Sequence, residues 1–173
     1  DRYTLVFVNG MLRTDLSRLD LPDGVDVRPL GTALEKSWVR TLIEARVNEA
    51  EAAKVISLNT ALMRGGAAIH IRKNVKLDKP LHLLFLAADD GAFHAHNFVR
   101  LDEGAEATIF ETHIDAGARR YFADLATDVS LAKDARLTHV KLQDEGQDAI
   151  HLASLSVHLE AEAKFSTFAL TLG

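Results

Sequence analysis

Hydrophobic and polar residues alternate over most of the chain from residue 67 onwards, the pattern of β-strands with one buried face. Before residue 67 the pattern is mixed. The opening YTLVFVNG predicts a strand that runs into Asn9-Gly10, a pair typical of tight turns. VDVRPL at residues 25–30 predicts a second extended run, in which Pro29 favours a position at a sheet edge.

Two helices are predicted between these strands and residue 66. The first begins at Thr32, an N-cap residue with Glu35 as its capping-box partner. Its apolar stripe consists of Leu34, Trp38, Leu42, Ile43 and Val47. We expect Trp38 to pack in the core. The second helix, residues 52–63, is apolar on most faces, so we expect it to be buried, and Gly65-Gly66 ends it.

A short apolar–polar–apolar group recurs four times in the second part of the chain, and each copy precedes a compact polar turn. The copies begin at Ile69, Val99, Val129 and Val157, at intervals of 30, 30 and 28 residues. A period in this range is the mark of a solenoid or array. Because the unit consists only of strands and turns, the repeat predicts a β-solenoid in which each coil lies beside the next.

The alternation within each copy predicts which side chains face the solenoid interior. Odd-numbered positions are mostly apolar and are expected inside, as in Phe93, Ala95, Asn97, Val99 and Leu101. The same parity holds in 123–131 and 151–159, and it makes His151 a hydrogen-bonded core histidine. Even-numbered residues are expected to face outward. The alternation slips at 109–110 and 139–140, which predicts a corner or bulge there and leaves the orientation of His113 and His139 open.

Composition restricts the class of protein. The 173 residues are 47% hydrophobic and 26% charged, with a net charge of −5, and no apolar run is long enough to span a membrane. We therefore expect a folded domain without affinity for membranes or nucleic acid. The lack of cysteine excludes thiolate ligands and disulfides in this stretch and is compatible with the cytoplasm. We predict an N-terminal α/β segment at 1–66 and a β-solenoid core at 67–173 that ends in mid-repeat.

One candidate metal site lies on the outward face. His94 and His96 share that face, and Asp124 falls one coil further in the column of His94. Two imidazoles and a carboxylate are a ligand set suited to iron or zinc. The simpler interpretation is that these side chains stand on an exposed strand and need only water.

Carboxylate pairs raise the alternative of an enzyme, since β-solenoids that act on carbohydrates use acids along an outer groove. The acids available here are Asp102, Glu103, Glu160 and Glu162, at the corners. They are better explained as solvated turn residues. There is no nucleophile elbow, phosphate loop or dinucleotide fingerprint, and we assign no catalytic residue.

Three long stretches carry a family resemblance: ISLNTALMRGGAAIHIRKNVKLDKPLHLLFL (56–86), NFVRLDEGAEATIFETH (97–113) and ARLTHVKLQDEGQDAIHLASLSV (135–157). With the ending FSTFALTLG (165–173), they resemble the SufB/SufD family of iron–sulfur cluster assembly proteins, and the SufD branch in particular.

The resemblance implies a right-handed parallel β-helix and a scaffold subunit without catalysis of its own. It further implies pairing with SufB through the β-helix, and binding of the ATPase SufC through a C-terminal region that has no match here. A cluster or iron would be carried only transiently, in the full complex, so no cofactor-binding residue is transferred to this chain. Because an uncapped coil exposes strand edges, we expect this chain on its own to self-associate through its last coil.

Overall fold

The computed structural model describes residues 1–47 and 53–172, which form eleven strands and three short helices. The strands are β1 (Tyr3–Val8), β2 (Met11–Arg18), β3 (Val25–Pro29), β4 (Ala67–Ile71), β5 (Leu81–Ala87), β6 (Gly91–Leu101), β7 (Glu106–Asp115), β8 (Tyr121–Leu131), β9 (Arg136–Asp144), β10 (Ile150–Leu159) and β11 (Lys164–Leu172). The helices are α1 (Leu30–Ala33), α2 (Ser37–Val47) and α3 (Ala53–Leu62). None of these helices combines the length and apolarity needed to cross a bilayer.

The strands from β4 onwards build a β-solenoid of four coils. Each coil gives one strand to a sheet ordered β10-β8-β6-β4-β3 and one to a sheet ordered β11-β9-β7-β5-β1-β2. Neighbouring coils pair in parallel, and Ile69, Val99, Val129 and Val157 stand in one column. The four-copy repeat therefore predicted both the architecture and the register.

The N-terminal strands extend the same two sheets. β1 pairs in parallel with β5, β2 returns antiparallel to β1, and β3 lies antiparallel to β4 at a sheet edge. Asn9 and Gly10 have φ angles of 47° and 79° at the reversal between β1 and β2. Both predicted strands, the turn and the edge position of Pro29 are confirmed. The predicted division at residues 66 and 67 stays a prediction.

The helices differ from the predicted ones at three points. The Thr32 cap is wrong, because Thr32 lies inside α1 with its hydroxyl donating to the Pro29 carbonyl, and α2 begins only at Ser37. The second helix is found within the predicted range, although residue 52 lies outside the described residues. It is not buried on most faces: Leu58 and Leu62 are exposed, and the polar Asn59 is the residue that faces the sheet.

The helices cover the outer face of one sheet. Their apolar side chains form a second core with that face, made of Leu30, Ala33, Val39, Ala68 and Phe98. Trp38 packs against this core, as predicted. The even-numbered residues of β6 and β8 face outward, as predicted, but the expectation of an exposed strand is wrong for those that the helices cover. His96, Asp124 and Asp128 are each no more than 3% exposed.

The predicted irregularity at 109–110 and 139–140 is also wrong. β7 and β9 pair without interruption, with Ile109 opposite His139 and Phe110 opposite Val140. Ile109 is buried and Phe110 is exposed, so the alternation continues. The sequence appeared to slip because the inward positions that follow hold polar side chains instead of apolar ones.

Gly65 and Gly66 do more than end a helix. The Gly66 N–H donates to the Gly10 carbonyl, and the His96 N–H donates to the Gly65 carbonyl. Gly66 has a φ of 105°, and a Cβ there would overlap with the His96 carbonyl. A Cβ on Gly65 would overlap with the Gly10 carbonyl. The two glycines thus let three backbone segments pass in direct contact.

Candidate functional site

The outward histidines each have a carboxylate neighbour, but not the same one. His94 stands opposite Asp124 in the ladder, and its Nδ1 lies 2.7 Å from Asp124 Oδ2. His96 stands opposite Ala126 instead, and its Nε2 lies 2.8 Å from Asp128 Oδ2. The structure therefore brings His94 and Asp124 together and gives His96 a separate partner.

Helix α3 closes this outer face. The buried Asn59 amide donates to the carbonyls of Ala95 and Asp124, at 3.2 Å and 3.0 Å. The His96 ring stacks on Phe98 with centroids 4.3 Å apart. Two imidazole–carboxylate pairs held under a helix fit a structural role in docking that helix. Metal binding by His94, His96 and Asp124 stays a prediction.

A larger polar cluster lies inside the solenoid, at inward positions of β7 and β9. His113 Nε2 lies 2.6 Å from Glu111 Oε1, and His139 Nε2 lies 3.1 Å from Glu111 Oε2. Lys141 Nζ lies 3.8 Å from Glu111 Oε1. All four side chains are at least 85% buried. One carboxylate thus gathers two imidazoles and an ammonium in the interior.

The cluster continues across to the other sheet. Lys141 Nζ lies 2.8 Å from His151 Nε2, and His151 Nδ1 lies 2.8 Å from Glu145 Oε2. The Tyr121 hydroxyl contacts Glu145 Oε1 at 2.9 Å and Asp115 Oδ1 at 2.6 Å. His151 is an interior histidine with polar partners, as its parity predicted.

Burial and hydrogen bonding act in opposite directions on these groups. Burial favours the neutral form of Glu111, but hydrogen bonds from His113 and His139 outweigh it and hold the pKa of Glu111 well below its usual range. Burial lowers the pKa of His113 and of Lys141, since it disfavours their charged forms. The pKa of Glu145 is lowered because contact with His151 outweighs burial. Ionised carboxylates therefore hold the cluster together.

Sequence reasoning missed this cluster, although the signal was present. Ala107, Ile109, Glu111 and His113 share one parity, and the first two are plainly apolar. Extending that parity through the strand would have placed Glu111 and His113 inside. A polar residue at an inward position was interpreted as a break in the alternation. The alternation in fact continues, and the interior is polar at that point.

The corner acids hold adjacent coils together. Asp102 lies 2.8 Å from both His70 Nε2 and Arg100 Nε, and Glu103 lies 2.9 Å from Lys73 Nζ. Burial raises the pKa of Asp102, but these two hydrogen bonds outweigh it and lower that pKa. The arrangement agrees with turn residues that join one coil to the next.

Comparison with known proteins covers the whole chain. The family pattern described as "SUF system FeS cluster assembly, SufBD core domain" matches residues 84–173, and "SufBD protein N-terminal region" matches residues 1–83. The chain is 27% identical over 182 aligned positions to an iron–sulfur cluster assembly SufBD family protein of Synechocystis, covering 98% of this chain and 40% of that relative. It is 26% identical over 171 positions to the iron–sulfur cluster assembly protein SufD of Escherichia coli, covering 94% of this chain and 40% of that protein. The chain thus spans about 40% of the length of these curated relatives.

Proposed function

The chain belongs to the SufBD family of iron–sulfur cluster assembly proteins, and we propose that it is part of a scaffold subunit of a SufB–SufC–SufD complex, without catalytic activity of its own. In this proposal the protein acts in the cytoplasm, in the position of SufD. It pairs with SufB through its β-solenoid and binds the ATPase SufC through a region beyond the residues of this chain. The cluster and its iron are the cargo of the whole complex.

The observation that carries the proposal is a parallel β-solenoid in a chain that the SufBD family patterns match over residues 1–83 and 84–173. The last coil adds a candidate contact surface. β10 and β11 are the terminal strands of the two sheets, and each has one side without a neighbouring strand among the described residues. Several large apolar side chains on these strands are exposed, with Ile150 at 65% and Phe168 at 62%. A parallel stack that presents free strand edges and apolar side chains can be extended by further coils. We propose that this exposed edge of the solenoid is a surface for further β-strands of the complex, on the side that pairs with SufB.

The opposite end of the stack, formed by β2 and β3, differs from the last coil and supports association through the last coil. There β2 and β3 lie antiparallel to their neighbours, which interrupts the parallel stacking. On β2, five of the eight residues from Met11 to Arg18 are polar or charged. Met11 and Leu16 on β2 are about half exposed, so this end differs from the last coil in strand direction and not in a lack of exposed apolar side chains.

Co-purification tests the proposal. The full-length protein containing this chain is co-expressed with SufC and affinity-tagged SufB, and the purified complex is analysed by size-exclusion chromatography with light scattering. We expect the three proteins to co-elute, and a Met11→Ser variant at the β2 end to co-elute equally well. A folded full-length protein that elutes alone while SufB and SufC associate would overturn the assignment.

The absence of catalysis is tested separately. The purified protein alone is incubated with ATP and with a panel of polysaccharides, and products are measured. We expect ATP hydrolysis only when SufC is added. Turnover of a polysaccharide by the protein alone, lost on substitution of a corner acid such as Glu103→Gln, would favour a carbohydrate-active enzyme.

A further inference from the structure

Three residues of the interior cluster form a set of potential metal ligands that is separate from the outward histidines. His113 on β7, Glu145 after β9 and His151 on β10 each present a ligand atom within 4.8 Å of the other two. They come from both sheets of the solenoid. Their side chains are 2%, 6% and 6% exposed.

The two nearest atoms of this set form a close ion-pair contact that lacks the geometry of a hydrogen bond. Glu145 Oε2 and His151 Nδ1 are buried and lie 2.8 Å apart, yet neither has a properly directed hydrogen bond among the described residues. A buried polar atom without such a bond is costly, and a bound ion is one way of satisfying it. This is independent of the clustering itself, and it points to a ligand between the two side chains.

Two of the three residues, His113 and Glu145, are held by a neighbour through their other polar atom. Glu111 contacts His113 at Nε2, which leaves Nδ1 for a ligand. The Tyr121 hydroxyl binds Glu145 at Oε1, which leaves Oε2 for a ligand. An outer group that orients each metal ligand through its second polar atom is the usual construction of a metal site.

The charge of the surroundings favours a cation. The buried carboxylates of the cluster are Glu111 and Glu145, and the exposed Asp115 is joined to Glu145 through Tyr121. The ammonium group of Lys141 is the counter-charge that contacts Glu111 and His151. The two buried carboxylates outnumber the one ammonium, and a bound cation would offset the difference.

Space is available beside the cluster. A cavity of about 290 Å³ is lined by Glu111, His139 and Lys141, together with Thr127, Ser154 and Thr167. Glu111 and Lys141 are also the groups that contact His113 and His151. The remaining lining residues are apolar: Leu125, Ala153, Leu155 and Ala169. The cavity gives an ion an approach to the cluster past Glu111 and Lys141.

We propose that His113, Glu145 and His151 bind one divalent transition-metal ion inside the solenoid. Two imidazole nitrogens and one carboxylate oxygen suit zinc, iron(II) or cobalt(II), and are a poor set for magnesium or calcium, which prefer oxygen ligands alone. The site does not depend on the proposed scaffold function. It is a property of this chain's own interior.

Cobalt(II) and zinc(II) titrations of the metal-free protein test the proposal. Cobalt(II) bound by nitrogen and oxygen ligands absorbs visible light, so its binding is followed directly, and zinc(II) is then added to displace it. We expect one cobalt(II) per chain, displaced by one equivalent of zinc(II). Glu145→Gln keeps the size of the side chain and the contact with Tyr121, and is expected to weaken binding by about 100-fold or more, since loss of even an outer-shell partner costs about 10–100-fold.

Further variants separate a metal site from a structural cluster. Tyr121→Phe is expected to weaken binding about tenfold, because Glu145 loses an orienting contact. His151→Asn serves as a second ligand variant should Glu145→Gln fail to fold, and far-ultraviolet circular dichroism without metal reports folding. The matched control is the double variant His94→Gln/His96→Gln, expected to bind as the wild type does. No binding by the wild type, unchanged binding in folded ligand variants, or loss of binding in the control would each overturn the proposal.

Discussion

The contact of Gly65 and Gly66 with neighbouring backbone predicts a graded response to alanine substitution. Two separate effects are involved: a positive φ, which strains any residue with a Cβ, and the overlap of that Cβ with a carbonyl. Gly66 has both, and Gly65 has only the overlap. Gly91, with a φ of 127° and no atom within 4 Å of its Cβ position, has only the strain. Gly31 has neither.

These four glycines therefore cover all four combinations of backbone strain and Cβ overlap. Backbone strain at Gly91→Ala is expected to cost about 1–3 kcal/mol of unfolding free energy. Overlap at Gly65→Ala is expected to cost about 1–3 kcal/mol. Gly66→Ala combines the two and is expected to cost about 2–6 kcal/mol, a large part of the roughly 5–15 kcal/mol that stabilises a typical domain. Gly31→Ala is expected to be neutral or stabilising by up to about 1 kcal/mol.

Urea denaturation followed by circular dichroism measures all four variants under one condition. A change of midpoint at an unchanged slope indicates a change of stability rather than of the unfolded state. The expected order of stability is Gly31→Ala first, Gly91→Ala and Gly65→Ala next, and Gly66→Ala last. Finding Gly66→Ala as stable as Gly91→Ala would refute the reasoning, because the carbonyl of His96 would then have moved aside without cost.

Three further predictions concern a helix, a loop and the last coil. Asn59→Ala is expected to lose about 1–3 kcal/mol in urea denaturation, because two buried strand carbonyls lose their amide donor; an unchanged midpoint would mean that water replaces the amide. Two backbone N–H groups of the β7–β8 loop lower the pKa of Asp90 below 3.8, so its stabilising effect is present above pH 3.8 and is lost as the pH falls through the lowered value. Asp90→Ala should therefore lower the melting temperature at pH 7 and have less effect towards pH 2, and an equal loss at both pH values would contradict this. Light scattering should show that this chain self-associates and that Ile150→Lys/Phe168→Lys stays monomeric, since charges on an edge oppose pairing; a wild type that is monomeric at high concentration would count against it.

The solenoid could be predicted because residues that pair in neighbouring coils recur at a nearly constant interval in the sequence. The stride of 30 residues from Val99 to Val129 is the physical offset of one coil, and it places His94 opposite Asp124 as the pattern required. Parity then identified the interior wherever the inward residues were apolar. It failed at Glu111 and His139, where the interior itself is polar.

The cover over the outer face could not be predicted in the same way. No periodic signal connects α3 to β6, because their contact depends on a single polar residue, Asn59, reaching across 36 positions of sequence to Ala95. The expectation of an exposed face followed from alternation alone, which cannot distinguish solvent from a packed helix. The inner cluster combines residues of β7, β9 and β10, so its assembly depends on the closed shape of the coil.

The backbone of the coils is satisfied by ladder hydrogen bonds between neighbouring coils, whatever the inward side chains are. The interior of the solenoid can therefore change from apolar to polar along its axis while the strand pairing of the backbone stays the same. In one inward column the first coil holds the buried Leu83, the next coil holds Glu111 and the coil after that holds Lys141. Inward side chains of one coil can therefore be replaced by polar or metal-binding residues while the backbone pairing of the neighbouring coils is kept.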